Sequence, residues 1–310
     1  MKSFLNRFLL MCVFLMLAPV LLAQQDSEYT QYMYNTVVVN PAYAGSRGVT
    51  SVFVLHRNQW VGLDGAPVTN VFSVNKPVSN SSLGYGISLV NDRIGVSDNN
   101  TFAIDVSYYI PTSGSRKLSF GIKTSLNWLS VDYSRLTIRD PNDVVLSEQN
   151  AIENQFSPNV GLGIYWHSPK NYIGISVPNF LETKRYDDNI SSTARDKMHI
   201  YLIAGEVFDL NPDWQFKPAL LTKLVQGAPL QLDFSVNFLF NQKFTAGIAY
   251  RLNAAITGLV GFQVNDAWQI GYAYDADTTN LNNYNSGSHE IFLRFELFEK
   301  YNKIISPRFF

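Results

Sequence analysis

From residue 49 onward, apolar and polar residues alternate along the chain with a period of two. Successive side chains of a β-strand point to opposite faces of its sheet, so this alternation predicts strands with one apolar and one polar face. In residues 101–110 one face is wholly apolar and consists of Phe102, Ile104, Val106, Tyr108 and Ile110. No stretch has a comparable helical period. The sequence therefore predicts an all-β protein.

The alternating runs predict about 14 strands. Most of these runs end at residues that are typical of turns. The predicted ranges are 49–60, 68–76, 83–92, 101–110, 117–129, 159–167, 172–178, 199–209, 214–224, 229–240, 243–251, 255–264, 267–275 and 288–297.

Every second link between these strands is short. The short links are rich in Asn, Asp, Pro, Gly and Ser, the residues of tight turns. They include 111–116, 168–171, 211–213, 241–242 and 265–266, whereas the intervening set contains the long links 131–158, 179–198 and 275–287. We therefore expect the long loops to gather at one end of the sheet.

This distribution of links separates two architectures. A β-sandwich does not require short and long links to alternate, whereas an outer-membrane barrel has short periplasmic turns and long external loops. The predicted strands are also close to the about nine to eleven residues that a tilted strand needs to cross the hydrocarbon layer. The sequence thus predicts a transmembrane, antiparallel, up-and-down β-barrel with both termini on the periplasmic side.

The tryptophans and the polar faces agree with a barrel. An amphipathic ring at a strand end can contact the lipid headgroups. Small and polar residues on the other face would line a lumen, where water solvates them at little cost. The five tryptophans near predicted strand ends are Trp60, Trp128, Trp166, Trp214 and Trp268. The charged residues expected to face inward are Asp105, Lys123, Asp233, Arg251, Glu290 and Arg294.

The first residues have the features of a secretory signal peptide. Lys2 and Arg7 give a positive start, and an apolar run at 8–22 ends at the small residue Ala23, after which we expect cleavage. The alternative is a retained anchor, but the run is shorter than the roughly 20 residues of a spanning helix. The predicted organisation is a signal peptide at 1–23, a periplasmic segment at 24–48, a barrel at 49–298 and a periplasmic tail at 299–310.

Charge and cysteine content exclude several functions. The chain carries 24 basic and 25 acidic residues, a formal charge of −1, and no basic cluster follows residue 20. A nucleic-acid partner is therefore not expected. The single cysteine, Cys12, lies in the predicted signal peptide. The mature chain therefore has no disulfide, thiolate nucleophile or cysteine-ligated metal.

Several motifs together resemble a known family. The chain has QYMYN at 31–35, NPAYAG at 40–45, RNQW at 57–60, GAPVT at 65–69, GSHEI at 287–291 and a closing SPRFF at 306–310. In this order, and over the whole mature length, they resemble the PorP/SprF proteins, outer-membrane components associated with the type IX secretion system of Bacteroidetes. One departure is TVVV at 36–39, where a more Leu- and Pro-rich run is typical of the family.

The resemblance implies a role in secretion at the outer membrane. Members of the family are needed for surface delivery or anchoring of large adhesins, some of them used in gliding motility. The implied partners are outer-membrane lipid, type IX secretion components and a large secreted cargo protein. Candidate partner-docking residues, all of them within the motifs, are Tyr32, Asn40, Pro41, Tyr43, Arg57, Trp60, His289, Glu290, Arg308 and Phe310. We expect the N-terminal segment at 24–48 to pack into the periplasmic mouth of the barrel or against a periplasmic partner, or to seal the lumen as a plug. We hypothesise that both chain ends form a periplasmic docking surface.

Enzymatic chemistry has weak support in the sequence. Residues 73–76, 97–99 and 123–125 imitate the three elements of a penicillin-binding active site. However, Ser73 falls inside a predicted strand, whereas the nucleophile of that class begins a helix. A lipid hydrolase would need a serine beside a histidine, and the adjacent Ser288 and His289 of one strand face opposite ways. We therefore expect no enzyme.

Metal and cofactor sites are not expected either. Asp275 with Asp277, and Glu206 with Asp209, could hold calcium, although solvated carboxylates are the simpler interpretation. Strand glycines such as Gly161 and Gly163 precede no helix and so form no phosphate loop.

A passive porin or small-solute transporter is the alternative function. A porin constriction usually carries opposed rows of acidic and basic side chains. Few inward-facing charges are predicted here, which favours docking over conduction.

Overall fold

The chain folds into one closed antiparallel β-barrel. The computed structural model describes residues 29–136, 152–181 and 197–298. Its strands are β1 (Thr50–Asn58), β2 (Val68–Pro77), β3 (Leu83–Ile94), β4 (Ser97–Pro111), β5 (Lys117–Val131), β6 (Ile152–His167), β7 (Asn171–Val177), β8 (His199–Glu206), β9 (Phe208–Asp209), β10 (Trp214–Val225), β11 (Gln231–Phe240), β12 (Phe244–Arg251), β13 (Ala255–Gln263), β14 (Trp268–Asp277) and β15 (Ser288–Leu297).

Neighbouring strands in the chain are neighbours in the sheet, and β1 closes the ring by pairing with β15. The short β9 continues the register of β8 along β10. The ladder is interrupted where Pro218, which has no backbone N–H, lies between the pairs Ala219–Gly205 and Phe216–Phe208. Because β8 and β9 act as one strand, the barrel has 14 strands, which confirms the predicted fold.

The two faces of the wall are inverted relative to a soluble protein. Apolar side chains point outward, with Ile122 59% and Ile248 65% exposed to the surroundings. Polar side chains point inward and are buried, with Asp105 and Asn237 both 0% exposed. A hydrocarbon solvent on the outside accounts for this pattern. All six predicted inward-facing charges lie on the buried face.

The predicted starts of β4 and β6 were too late. β4 begins at Ser97 rather than 101, and β6 begins at Ile152 rather than 159. The added residues of β4 are polar on both faces, so they carry no alternation signal, and Pro158 is unusual in a paired strand. The extra length also changes a link, because β3 and β4 meet in a tight turn at 95–96.

The links still separate into two ends. The loop side carries the links 59–67, 132–151, 178–198 and 278–287, together with the short 95–96, 226–230 and 252–254. The turn side carries 78–82, 112–116, 168–170, 210–213, 241–243 and 264–267. The central parts of the two longest predicted loops lie outside the described residues. Trp214 and Trp268 begin strands on the turn side, and Trp128 lies near the end of β5 on the loop side.

Helical structure is confined to short 3-10 turns in the part of the chain that the structure describes, including Tyr32–Tyr34, Thr36–Val38 and Pro41–Tyr43. Within those same ranges, no helix is long and apolar enough to cross a membrane.

Candidate functional site: the plugged lumen

Residues 29–48, here called the plug, lie inside the barrel and occupy the middle of its lumen. A barrel of 14 strands encloses more space than the side chains of its own wall can occupy. The plug occupies that space with side chains that are almost fully buried, among them Met33, Val37 and Ala42. It was expected either at the periplasmic mouth, against a partner, or as a seal of the lumen. The described part of the segment takes the last of these positions.

Apolar and aromatic contacts hold the plug to the wall. The rings of Tyr34 and Phe292 have centroids 4.6 Å apart, and Phe292 stacks on Phe53 at 5.2 Å. On the other side, Tyr43 meets the edge of Tyr165 at 5.6 Å. Such pairs add about 0.5–1.5 kcal/mol each beyond the burial of their area. The plug and the wall therefore share one hydrophobic core.

The Asn-Pro pair of the NPAYAG motif starts the last 3-10 turn of the plug. The Asn40 side-chain oxygen accepts a hydrogen bond from the Ala42 N–H at 2.9 Å, and Pro41 occupies the first position, where no N–H is needed. The Asn40 amide nitrogen donates to the Ile164 carbonyl of β6 at 3.1 Å. One side chain thus caps the turn and binds it to the wall.

Strand glycines make room for this turn. A Cβ atom on Gly121 would lie 2.2 Å from the Ala42 nitrogen, and one on Gly163 would lie 2.2 Å from the Asn40 side-chain oxygen. A Cβ on Gly84 would lie 2.3 Å from the Ala44 carbonyl oxygen. These glycines allow the plug backbone to approach the wall closely.

We expect Gly121→Ala to displace the plug without opening the barrel. The added methyl group clashes with the backbone of residues 41 and 42, whereas the strand pairing of β5 needs no glycine. Hydrogen exchange of the amides at 36–44 should become faster, and the folded barrel should still resist SDS until heated. The matched control is Gly258→Ala on β13, where an added Cβ meets nothing within 4 Å. Equal exchange in both variants would contradict the close fit.

An ion cluster binds the plug on the loop side. The Arg57 guanidinium lies 2.7 Å from Asp275 and 3.0 Å from Glu290, and all three side chains are buried. The Glu290 carboxylate also accepts the backbone N–H groups of Thr30 and Gln31 at 3.0 and 2.8 Å. The Thr30 hydroxyl lies 3.0 Å from Asp275. One cation therefore holds two carboxylates that in turn bind the plug.

A second cluster lies on the turn side. Arg47 of the plug forms a buried ion pair with Glu296, and Arg294 of the same strand lies 3.7 Å from that carboxylate. The Arg294 guanidinium also lies 5.8 Å from the Tyr34 ring centroid. The plug is thus bound by charge at both ends of the lumen.

In the middle of the lumen, Lys123 connects wall and plug. Its ammonium group lies 3.3 Å from Asp105 and donates to the carbonyls of Val37 and Val38 at 3.3 and 3.0 Å. The Ser176 hydroxyl donates to the next carbonyl, that of Val39, at 2.7 Å. Plug carbonyls without a partner in the plug itself are thereby satisfied by the wall.

A comparison with protein families identifies the chain. The model of the type IX secretion system membrane protein PorP/SprF matches residues 21–295. The chain belongs to the PorP/SprF family. The family and the barrel place this PorP/SprF protein in the outer membrane.

Solved structures of low similarity were also found. Omp33, an outer membrane protein of Acinetobacter baumannii, aligns with a TM-score of 0.47 at 10% identity, over 81% of this chain and 100% of that chain. A FadL homologue of Pseudomonas aeruginosa gives 0.45 at 10% identity, over 90% and 96%. The CymD monoaromatic hydrocarbon channel gives 0.46 at 10% identity, over 88% and 94%. None of these values reaches the similarity at which a shared function follows. No curated protein sequence matches the chain.

Most of the predicted docking residues of this PorP/SprF protein are buried inside it. They are Tyr32, Asn40, Pro41, Tyr43, Arg57 and Glu290. Their contacts are with other parts of the same chain, so in this conformation they present no surface to a partner. The sequence motifs were therefore correct markers of the family, but the side chains they contain hold the plug in place.

The remaining docking candidates have different positions. Trp60 is half-buried in the loop after β1, and its backbone N–H donates to the Ser288 hydroxyl at 3.1 Å. His289 points outward, with its Nδ1 2.7 Å from the Tyr272 hydroxyl. A role of these residues in docking stays a prediction. Arg308 and Phe310 lie outside the described residues.

Several members of the ion clusters were missed in the sequence. Glu296 follows Arg294 on the inward face of the same strand, so the period of two would have found it. The sequence favours a solvated carboxylate at Asp275, whereas its side chain is buried and pairs with Arg57. Arg47 precedes the first strand, where the sequence has no periodicity. No sequence signal therefore indicates that Arg47 faces inward or that it pairs with Glu296.

The residues considered for catalysis or metal binding are separated or already engaged. The Ser73 hydroxyl donates to Asn35 of the plug at 2.7 Å, whereas Lys76 lies on the outer side over the Tyr85 ring. Asp209 forms an exposed ion pair with Lys170. Within the described ranges, no group of three or more His, Cys, Asp or Glu side chains is arranged to hold a metal ion.

Proposed function

We propose that this protein acts in the surface delivery or anchoring of secreted adhesin-type proteins, including those used in gliding motility. The family supports an association with the type IX secretion system. The observation that carries the finer proposal is the plug, which is bound to the wall by two buried ion clusters. A barrel whose interior is occupied in this way serves better as a docking platform than as a conduit.

The same observation disfavours the porin alternative. The charges that a porin would present to passing solutes are here paired with one another or with the plug, as in Lys123 with Asp105 and Arg251 with Asp233. Apolar side chains of the plug such as Val37 and Ala42 are fully buried inside the barrel. Small-solute passage would require the plug to leave.

We further infer that the protein is not an enzyme and that its partners are macromolecules. These partners are components of the secretion system and a large secreted cargo protein, with the outer-membrane lipid as solvent of the barrel. Since the plug residues are engaged within the chain, the docking surface consists of loops, rims or chain ends rather than the motif side chains inside.

A pull-down from the native outer membrane tests this function. We expect the tagged full-length barrel to co-purify with secretion components and a large surface protein, and we expect loss of its gene to abolish surface display of that protein. Another tagged barrel of the same membrane serves as the control. Normal surface display in the deletion strain, together with reduced uptake of small solutes, would favour the porin instead.

A further inference from the structure

A cavity remains in the lumen between the plug and the loop side. It measures about 420 Å³, which is within the range of small-ligand sites. Its floor consists of plug residues, including Tyr29 and Tyr32, and its walls come from β3–β6 and from β8 and β10–β12. The strand ends that reach it, such as Ile94, Ser97 and Leu129, are those of the loop side.

One wall of the cavity, from β4 to the end of β7, carries amide and hydroxyl groups with unused hydrogen-bonding capacity. The Ser125 hydroxyl is buried, at 1% exposure, and has no hydrogen-bond partner among the described residues. Asn127 accepts a hydrogen bond from Thr101 at 2.7 Å, which leaves its amide N–H groups for other partners. The Asn99 side chain lines the same wall. A buried hydroxyl without a partner costs free energy unless a ligand or water satisfies it.

The other surfaces carry aromatic rings and charged side chains. Tyr29, Tyr32 and Tyr201 contribute rings from the floor and the opposite wall. Arg251 also lines this wall, but its guanidinium is paired with Asp233 at 2.9 Å. Of the remaining charged side chains, Lys123 lies 3.3 Å from Asp105, Lys197 donates to the Gln226 carbonyl at 2.9 Å, and Asp92 accepts from the Thr69 hydroxyl at 2.6 Å. Lys223 is also engaged within the chain. Because these charges have partners within the chain, the cavity does not require a charged ligand.

We propose that this cavity binds a short, uncharged oligosaccharide. The hydroxyl groups of a sugar both donate and accept, so they match side chains such as Ser125, Asn127 and Asn99, and its ring faces match the tyrosines. A peptide segment fits less well. Most strands around the cavity are paired on both sides, and only the part of β6 from Ile152 to Gly161 has no ladder to β7 among the described residues, so the wall offers little free edge to which a peptide main chain can add. This proposal is independent of the secretion role.

Binding measurements on the purified full-length barrel test the site. The probes are maltotriose, mannotriose and triacetylchitotriose, with trigalacturonate as the acidic sugar and an acetylated Ala-Ser-Ala amide as the peptide. We expect saturable calorimetric binding of at least one neutral trisaccharide. We expect Ser125→Val and Asn99→Ala each to raise the dissociation constant of that trisaccharide by about tenfold, which corresponds to the loss of one hydrogen bond.

Matched variants exclude a general effect on folding. Ser119→Val changes an inward serine of the same strand that lines the turn side instead, and Asn100→Ala changes the neighbour of Asn99 on the outer face. Both should bind as the wild type does. Ser125→Val removes a hydroxyl that has no partner, so it should fold normally. No binding of any neutral trisaccharide, binding that Ser125→Val leaves unchanged, or selective binding of the peptide or the acidic sugar would overturn the proposal.

Discussion

We expect Arg57→Ala to lower the free energy of unfolding by about 3–5 kcal/mol, the usual cost of breaking a buried ion pair. The substitution leaves the carboxylates of Asp275 and Glu290 buried without their cation. It also loosens the plug, because those carboxylates bind Thr30 and Gln31. Urea unfolding in lipid vesicles, followed by tryptophan fluorescence, measures the change.

Two further variants make this experiment specific. Lys170→Ala breaks the ion pair with Asp209, whose side chains are 49% and 45% exposed, and it should leave the urea midpoint unchanged because solvent screens such pairs. Replacing the whole cluster, with Arg57→Met, Asp275→Asn and Glu290→Gln together, should restore much of the stability because no unpaired charge remains. An equally large loss in the triple variant would show that the charges themselves are required.

Deleting residues 29–44 should open the barrel to ions. The wall of 14 strands stays closed without the plug, since β1 and β15 pair directly, and water can then fill the lumen. In planar bilayers we expect the conductance per inserted barrel to rise by roughly tenfold or more, because a wide barrel without internal packing encloses an aqueous channel.

Adding a peptide back provides the control for this deletion. A synthetic peptide of residues 29–48 should lower the conductance of the shortened barrel, whereas a scrambled peptide of the same composition should not. A full-length protein that already conducts as well as the shortened one would contradict the view that the plug fills the lumen.

The strands and their inward charges could be predicted because a membrane imposes a strict rule on the outer face. Lipid requires apolar side chains at every second position, so Asp233 and Asn237 had to face inward. The rule ends where a strand leaves the membrane. The first residues of β4, from Ser97 to Asn100, are polar on both faces, and the pattern could not include them.

The interior could not be predicted in the same way. The plug contains only short 3-10 turns, and its burial depends on partners such as Gly121, Glu290 and Ile164 that are distant in sequence. The motifs at the two ends of the chain nevertheless contained a clue. Arg57 and Glu290 belong to separate motifs, and the structure places them directly opposite each other on β1 and β15.

That pairing has a consequence for how the barrel assembles. The ladder between β1 and β15 is the seam that joins the two ends of the chain, and closing it carries the largest loop-closure entropy of any ladder. The plug is joined directly to β1, and its Thr30 reaches Glu290, 260 residues away, while Tyr34 meets Phe292. The plug, which is covalently joined to the first strand, therefore supplies contacts that bind the last strand at the seam. Closure of the ring and seating of the plug become one cooperative step.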